Sequence, residues 1–225
     1  MSGLKVPSSA DDGLYCPMWL KLSYTAFMAV LVPYYVHAYG PANLLWICDV
    51  ALIVTLIALW KNSRFLLSAQ AVAIVVPQLI WCLDFAYQAT TGGQILGAAR
   101  YMFDPRISVV VRALSLFHVW MPAMLLWLVW KNGYDRSAWK LQIVILWCVL
   151  LTVFCCLDAP QSASQNINKV FGWGDTAQTL MPPFLWLTIL MAAFPLGIYL
   201  PSHLVFKRVF DDHAATSVAH SVGSV

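Results

Sequence analysis

Residues 139–157 read WKLQIVILWCVLLTVFCCL. Apart from Lys140 at the start, Gln142 and Thr152, every side chain in this stretch is apolar. No period-two alternation of the kind a barrel strand needs runs through it. As a helix rising about 1.5 Å per residue, it is close to the ~30 Å thickness of a bilayer's hydrocarbon layer. A single segment of this kind makes the chain a membrane protein built of helices. Working outward, five more segments carry the same signature, at residues 18–38, 42–60, 65–88, 108–130 and 179–200. The fold class is therefore all-α, a polytopic transmembrane bundle of about six helices. A polar lead-in at 1–17 precedes the membrane domain at 18–204, and a disordered tail at 205–225 follows it. With 225 residues in the chain, six spans leave no room for a separate soluble domain.

Composition supports this reading. Hydrophobic residues make up 61% of the chain and charged residues 10%, against about 25% charged in soluble domains. The net charge of +3 is small and no basic run is present, which excludes a nucleic-acid footprint. Membrane lipids are the expected partner, together with possible partner subunits in a membrane complex. Cys16, Cys48, Cys82, Cys148, Cys155 and Cys156 lie mostly in apolar runs without a CxxC pair or a spacing to histidine that suits a metal. No charged n-region leads into a cleavable apolar stretch, so the first span is expected to be retained rather than removed as a signal peptide.

Charge also orients the bundle. Lys5, Lys21, Lys61, Arg64, Lys131, Arg136, Lys140, Lys207 and Arg208 fall on the side of the N-terminus, and only Arg100, Arg106, Arg112 and Lys169 fall on the other. The positive-inside rule then places both termini in the cytoplasm, with the loops at 91–107 and 158–177 outside. The expected location is a multi-pass position in a bacterial inner (plasma) membrane. Prolines recur inside the spans, at Pro33, Pro77, Pro122, Pro182, Pro183 and Pro195. Each frees a backbone carbonyl, so the bundle should be kinked, with room for a cavity.

Ionisable groups inside hydrocarbon cost a few kcal/mol or more, and by default they mark function. The second span carries Asn43, Cys48 and Asp49, the third Gln78 and Asp84, and the fourth Arg112, Ser115 and His118; His37 ends the first. At about 1.5 Å per residue, Asp49 and His118 lie at comparable depth, and all of these groups except Gln78 fall in the outer half. The cytoplasmic half reads as nearly all Leu, Val, Ile, Ala and Trp. An outward-facing polar pocket follows. Catalysis there would use His118 as base, Cys48 or Asp49 as its partner and Asp84 or Asp49 to orient the imidazole. Arg112, Asn43 and Gln78 would hold the substrate, with Arg112 suited to a phosphate or an oxyanion. Plainer readings stand beside these. In these, Asp49 or Asp84 pairs with Arg112, His118 bonds a carbonyl freed by Pro122, Cys48 is an inert thiol, and the tryptophans fit an interfacial belt. A zinc site is weaker, because neither HxxxH nor HExxH occurs.

The run Leu44-Leu45-Trp46-Ile47-Cys48-Asp49-Val50-Ala51-Leu52, with His118-Val119-Trp120-Met121-Pro122 in the fourth span, resembles the bacterial YwaF-type membrane proteins. Their relatives include the androgen-induced fatty-acid-ester hydrolases and a glycerophospholipid acyltransferase. The resemblance implies a lipid-ester hydrolase or acyltransferase, with Cys48 on an early helix and His118 on a later one. Two other classes compete with it. One is a non-catalytic subunit binding a pigment, haem or quinone, with His37 and His118 as ligands to a haem. The other is a small transporter, suggested by Pro77-Gln78 but without a repeat or a polar path through the cytoplasmic half. The sequence specifies no cofactor, which is left unknown.

Overall fold

A computed structural model describes residues 15–159, 166–174 and 176–210. Most of the 1–17 lead-in, the 211–225 part of the tail and parts of the 158–177 loop lie outside the described residues. All regular structure among the described residues is helical. The helices are α1 (Met18–Tyr39), α2 (Ile47–Lys61), α3 (Arg64–Thr91), α4 (Val109–Ser115), α5 (Phe117–Asn132), α6 (Ala138–Cys156) and α7 (Pro183–Phe194). The last continues through a π turn at Pro195–Tyr199 to Phe210. Among the described residues, four stretches are long and apolar enough to cross a membrane: α3, the α4–α5 pair as Val109–Asn132, α6, and Pro183–Phe210. They meet the requirement of a multi-pass integral membrane protein. α2, at 15 residues, starts five positions later than the sequence suggests, because Pro41–Leu45 winds as a 3-10 turn.

The bundle is organised around α3, which packs on α2, α5, α6 and the π turn of α7. Every residue from Leu67 to Val75 is buried, so the first half of α3 has no lipid-facing side. Ser68, Ala69, Ala71 and Ala73 make this possible, since small side chains let neighbouring backbones come close where no hydrophobic drive operates between helices. A tight connection sets the α2–α3 angle. Asn62 takes a left-handed φ of 49°, and Ser63 caps α3 by accepting from the Leu66 N–H at 3.3 Å. Lys21 reaches across from α1 and donates to Asn62 Oδ1 at 2.7 Å.

Two expectations change here. The near half of the bundle, on the side of the N-terminus, is not purely apolar. Gln70 donates to Gln142 Oε1 at 3.3 Å, and Gln142 donates to the Tyr199 hydroxyl at 3.4 Å, all three buried. Three helices bring these groups together from positions that read singly as isolated amides in apolar runs. The last span also runs past residue 200. Phe206 and Phe210, one helical turn apart, are buried, and Phe206 packs edge-on against Tyr134 at 5.7 Å.

Close packing on α3 predicts an asymmetry. Ala71→Leu, at a fully buried position, should destabilise the protein by about 1–3 kcal/mol through overpacking. Leu83→Ala, on the same helix but 66% exposed, should change it by less than ~0.5 kcal/mol. Thermal unfolding of the purified protein in detergent measures both.

Candidate functional site

The C-terminal ends of α1 and α3 and the N-terminal ends of α2 and α4 meet at the far end of the bundle, opposite the N-terminus. The buried polar groups gather there around an interruption between α4 and α5. At Leu116 the backbone tightens, and Val119 N–H bonds Leu116 O at 2.9 Å rather than Ser115 O. The Ser115 carbonyl is thereby released, and His118 Nδ1 lies 2.8 Å from it. A carbonyl only accepts, so Nδ1 carries a proton, and in the neutral ring Nε2 keeps its lone pair. The ring is stacked between Phe117, at 4.0 Å, and Trp81, at 4.6 Å. Pro122 leaves His118's own carbonyl without a helical donor, and the Cys82 thiol bonds it at 3.3 Å.

Around this ring lie hydroxyls and one carboxyl. Ser115 Oγ donates to Val111 O at 2.9 Å, and the Tyr35 hydroxyl is 2.9 Å from Ser115 Oγ. With its proton committed to Val111, Ser115 accepts from Tyr35. Tyr35 and Tyr101 both lie within electrostatic reach of Asp49 and Cys48, and Tyr101 also lies beside Ser115 and Trp81. Asp49 is 3% exposed. Its Oδ2 accepts from Asn43 Nδ2 at 3.3 Å, and its Oδ1 has no partner. Two more buried groups at this level are unpartnered, Gln78 Oε1 and Trp81 Nε1. Gln78 Nε2 reaches only Met121 Sδ, at 4.0 Å.

Of the residues singled out in the sequence, the structure thus brings Asn43, Asp49, Cys48 and His118 to one level. Cys48 and His118 share no hydrogen bond. The thiol is half-buried beside the tyrosine hydroxyls. Asp84 and Arg112 are engaged elsewhere, and neither forms an ion pair with the other or with Asp49 among the described residues. Asp84 is 1% exposed and accepts four backbone N–H groups. Those of Ile95 and Leu96 are at 3.0 Å and that of Gly97 at 3.4 Å on Oδ1, and that of Ala99 is at 2.9 Å on Oδ2. Gly97, at φ +70°, makes that wrap possible. Arg112 Nη1 donates to Met102 O at 3.2 Å. The two charges grip opposite ends of one segment, the one that carries Tyr101 into the cluster. His37 is exposed at the end of α1, apart from His118. No three His, Cys, Asp or Glu side chains converge as a metal site among the described residues.

Sequence reasoning missed Tyr35, Trp81 and Tyr101. Aromatic residues near a membrane surface are common, and nothing in their spacing separates these from an interfacial belt. It also missed Asn168, whose side chain accepts from Ile47 N–H at 2.9 Å and donates to Leu45 O at 2.7 Å. Asn168 thereby fixes the start of α2 two residues before Asp49. Beyond the cluster, Trp81 stacks on Phe85 at 5.3 Å and Phe85 on Phe103 at 5.4 Å. This column of rings ends at a polar hollow of about 410 Å³ lined by Gln88, Arg100, Phe103, Asp104 and Arg106. Arg106 clasps Asp104 there at 2.7 Å, and its guanidinium holds that carboxyl down to about 2.

Compared with known protein families, curated proteins and solved structures, the chain matches none.

Asp84→Ala should leave four backbone N–H groups without their acceptor, at about 1–3 kcal/mol for the buried one of Ala99 and less for the part-buried three. Amide hydrogen exchange at residues 95–99 should accelerate by more than ten-fold while α6 stays protected; unchanged exchange would show that the carboxylate does not hold the segment. Asn168→Ala removes both bonds and keeps a β-carbon at φ 52° without asparagine's tolerance of left-handed backbone. Its cost should exceed that of Asn168→Gly, as read by thermal unfolding.

Proposed function

We propose that the far-end cluster binds the polar group of an amphipathic, lipid-soluble molecule and acts on its ester or acyl linkage, with His118 as the proton acceptor. One observation carries this reading, the nearly fully buried Asp49 carboxyl with Oδ1 unmet among three hydroxyl-bearing side chains. Such a group in hydrocarbon is expensive, and a purely structural role would use both oxygens, as Asp84 does. A ligand hydroxyl donating to Asp49 Oδ1 would complete it.

The chemistry follows from the tautomer. With Nδ1 donating to Ser115 O, Nε2 can take the proton of a hydroxyl or of the Cys48 thiol as that oxygen or sulfur attacks an acyl carbonyl. The oxygen of the leaving alcohol then recovers the proton from Nε2. On the thiol path, water or a lipid hydroxyl gives its proton to Nε2 as it opens the Cys48 thioester, and the departing sulfur recovers that proton; with water as the final acceptor the outcome is hydrolysis, and with a lipid hydroxyl it is acyl transfer. The Tyr101 phenol would donate to a developing oxyanion, since the Tyr35 proton is committed to Ser115 Oγ, and Asn43 positions Asp49. Asp84 and Arg112 act through the segment they hold. The resemblance of the Cys48 and His118 segments to YwaF-type proteins and their ester-hydrolase and acyltransferase relatives points the same way. The outer-leaflet placement rests on the positive-inside orientation.

A second reading is favoured by the stacked rings. His118 between Phe117 and Trp81 has flat aromatic walls suited to a planar molecule such as a quinone or pigment, held without catalysis.

Incubation of the purified protein with acyl-glycerophospholipids and long-chain hydroxy-fatty-acid esters separates the two readings. Ester cleavage or acyl transfer should fall 10²–10⁴-fold in His118→Ala, which also loses about 1–3 kcal/mol of stability by leaving the Ser115 carbonyl unmet, and by a comparable factor in Asp49→Asn, with thermal stability retained. Cys48→Ala distinguishes a thiol nucleophile, which it abolishes, from an activated hydroxyl, which it spares. Full activity in His118→Ala would overturn the catalytic reading, and a coloured or quinone-bearing preparation without ester chemistry would establish the second.

A further inference from the structure

From the middle of the bundle to its near end, α1 and α5 stand apart. α1 packs on α2 and α4, and aromatic rings bridge it to α5. Trp120 meets Tyr24 edge-on at 5.9 Å and Phe27 at 5.2 Å. Nearer the N-terminus, Tyr15 packs on Trp127 at 5.7 Å, and the Asn132 side chain is bonded to both the N–H and the carbonyl of Tyr15. Between these two bridges lies a groove of about 460 Å³, within the size range of small-ligand sites. Trp19, Trp120 and Trp127 wall it, and Leu20, Tyr24 and Met124 line it further. The hydroxyl of Ser23, its one small polar residue, is spent on the Trp19 carbonyl. Trp19 is 65% exposed, so the groove opens sideways to the surrounding lipid.

A cation lies just beyond its near end, over the Tyr15 ring that packs on Trp127. Lys131, one turn beyond Trp127, places its Nζ 4.5 Å from the Trp130 ring centre and 5.8 Å from that of Tyr15. It has no acidic partner among the described residues. The combination is amphipathic, an apolar slot with a single fixed positive charge at the level where head groups lie.

We infer that this groove is a binding site for one anionic phospholipid, an acyl chain lying between Trp19, Trp120 and Trp127 and the phosphate meeting the Lys131 ammonium. Chain and head group make separable contributions. The rings supply contact area for any acyl chain, whereas the ammonium discriminates by charge. A lysine near a membrane surface favours an anionic head group by about 1 kcal/mol, or roughly five-fold. Trp120 brings the far end of the groove close to His118, but its head-group end lies about three turns further along α5, and the site does not depend on what the Asp49–His118 cluster does.

Native mass spectrometry of the full-length protein, delipidated in detergent and titrated with dioleoyl phosphatidylglycerol or dioleoyl phosphatidylcholine, tests this. The wild type should retain one phosphatidylglycerol with roughly five-fold preference over phosphatidylcholine. Lys131→Gln should remove the preference and leave phosphatidylcholine retention unchanged. Ser23→Phe, which fills the groove, should lower retention of both lipids, and inorganic phosphate alone should neither bind nor raise the melting temperature. Equal retention of the two lipids by wild type, or an undiminished preference in Lys131→Gln, would overturn the assignment. So would full retention in a folded Ser23→Phe protein. Phosphate binding without lipid would reduce the site to a bare anion contact.

Discussion

Hydrocarbon offers a polar group no partner, so irregular backbone can persist at membrane depth only where side chains meet it. This constraint governs the far half of the bundle. At several of the points where regular helix gives way, a polar side chain answers the released group. His118 takes the Ser115 carbonyl left by the break at Leu116, and Cys82 takes the carbonyl that Pro122 leaves on His118. Asn168 meets Leu45 O and Ile47 N–H where the 3-10 turn gives way to α2. Asp84 gathers the N–H groups of 95–99. Each expensive side chain is matched to an otherwise expensive stretch of backbone.

The same accounting separates structural polar groups from those available to a ligand. Asp84, Asn168 and the imidazole Nδ1 are consumed by the fold. Asp49 Oδ1, Gln78 Oε1 and Trp81 Nε1 are not, and all three belong to the level of the bundle where His118 presents its second nitrogen. In the near half, Gln70, Gln142 and Tyr199 satisfy one another across α3, α6 and the π turn, although Gln70 Oε1 is left over. That half is held by amide bridges between helices and, among the described residues, contains no buried charge beyond Lys21, which Asn62 meets.

Long apolar runs made the helical class legible from sequence, because hydrophobicity over about twenty residues has few other meanings. The level of Asp49 and His118 was also legible, since counting residues from a span's end fixes depth. What the sequence hid was engagement. Asp84 and Arg112 look like partners for each other or for Asp49, but a carboxylate can be filled as well by backbone N–H groups as by a guanidinium, and only the path of residues 94–103 decides which. Cys48 and His118 share a depth without a hydrogen bond, because rotation about the helix axis depends on packing and not on hydrophobic periodicity in segments that are apolar all round. Gln70 and Gln142 are 72 positions apart, and no local pattern announces such a pair.

The break at Leu116 does more than accommodate a bend. In an uninterrupted helix Val119 N–H would occupy Ser115 O, and His118 Nδ1 would have to find another acceptor or turn its ring. Releasing that carbonyl fixes three properties of the imidazole together: which nitrogen holds the proton, how the ring plane lies, and which nitrogen faces away from the backbone. Stacking between Phe117 and Trp81 holds the same plane from either side. Pro122 extends the effect, because the carbonyl it frees belongs to His118 and ties α5 to α3 through Cys82. A histidine held by two helix defects and two aromatic faces is more constrained than bending a helix requires, and its unoccupied Nε2 is where that constraint acquires a chemical use.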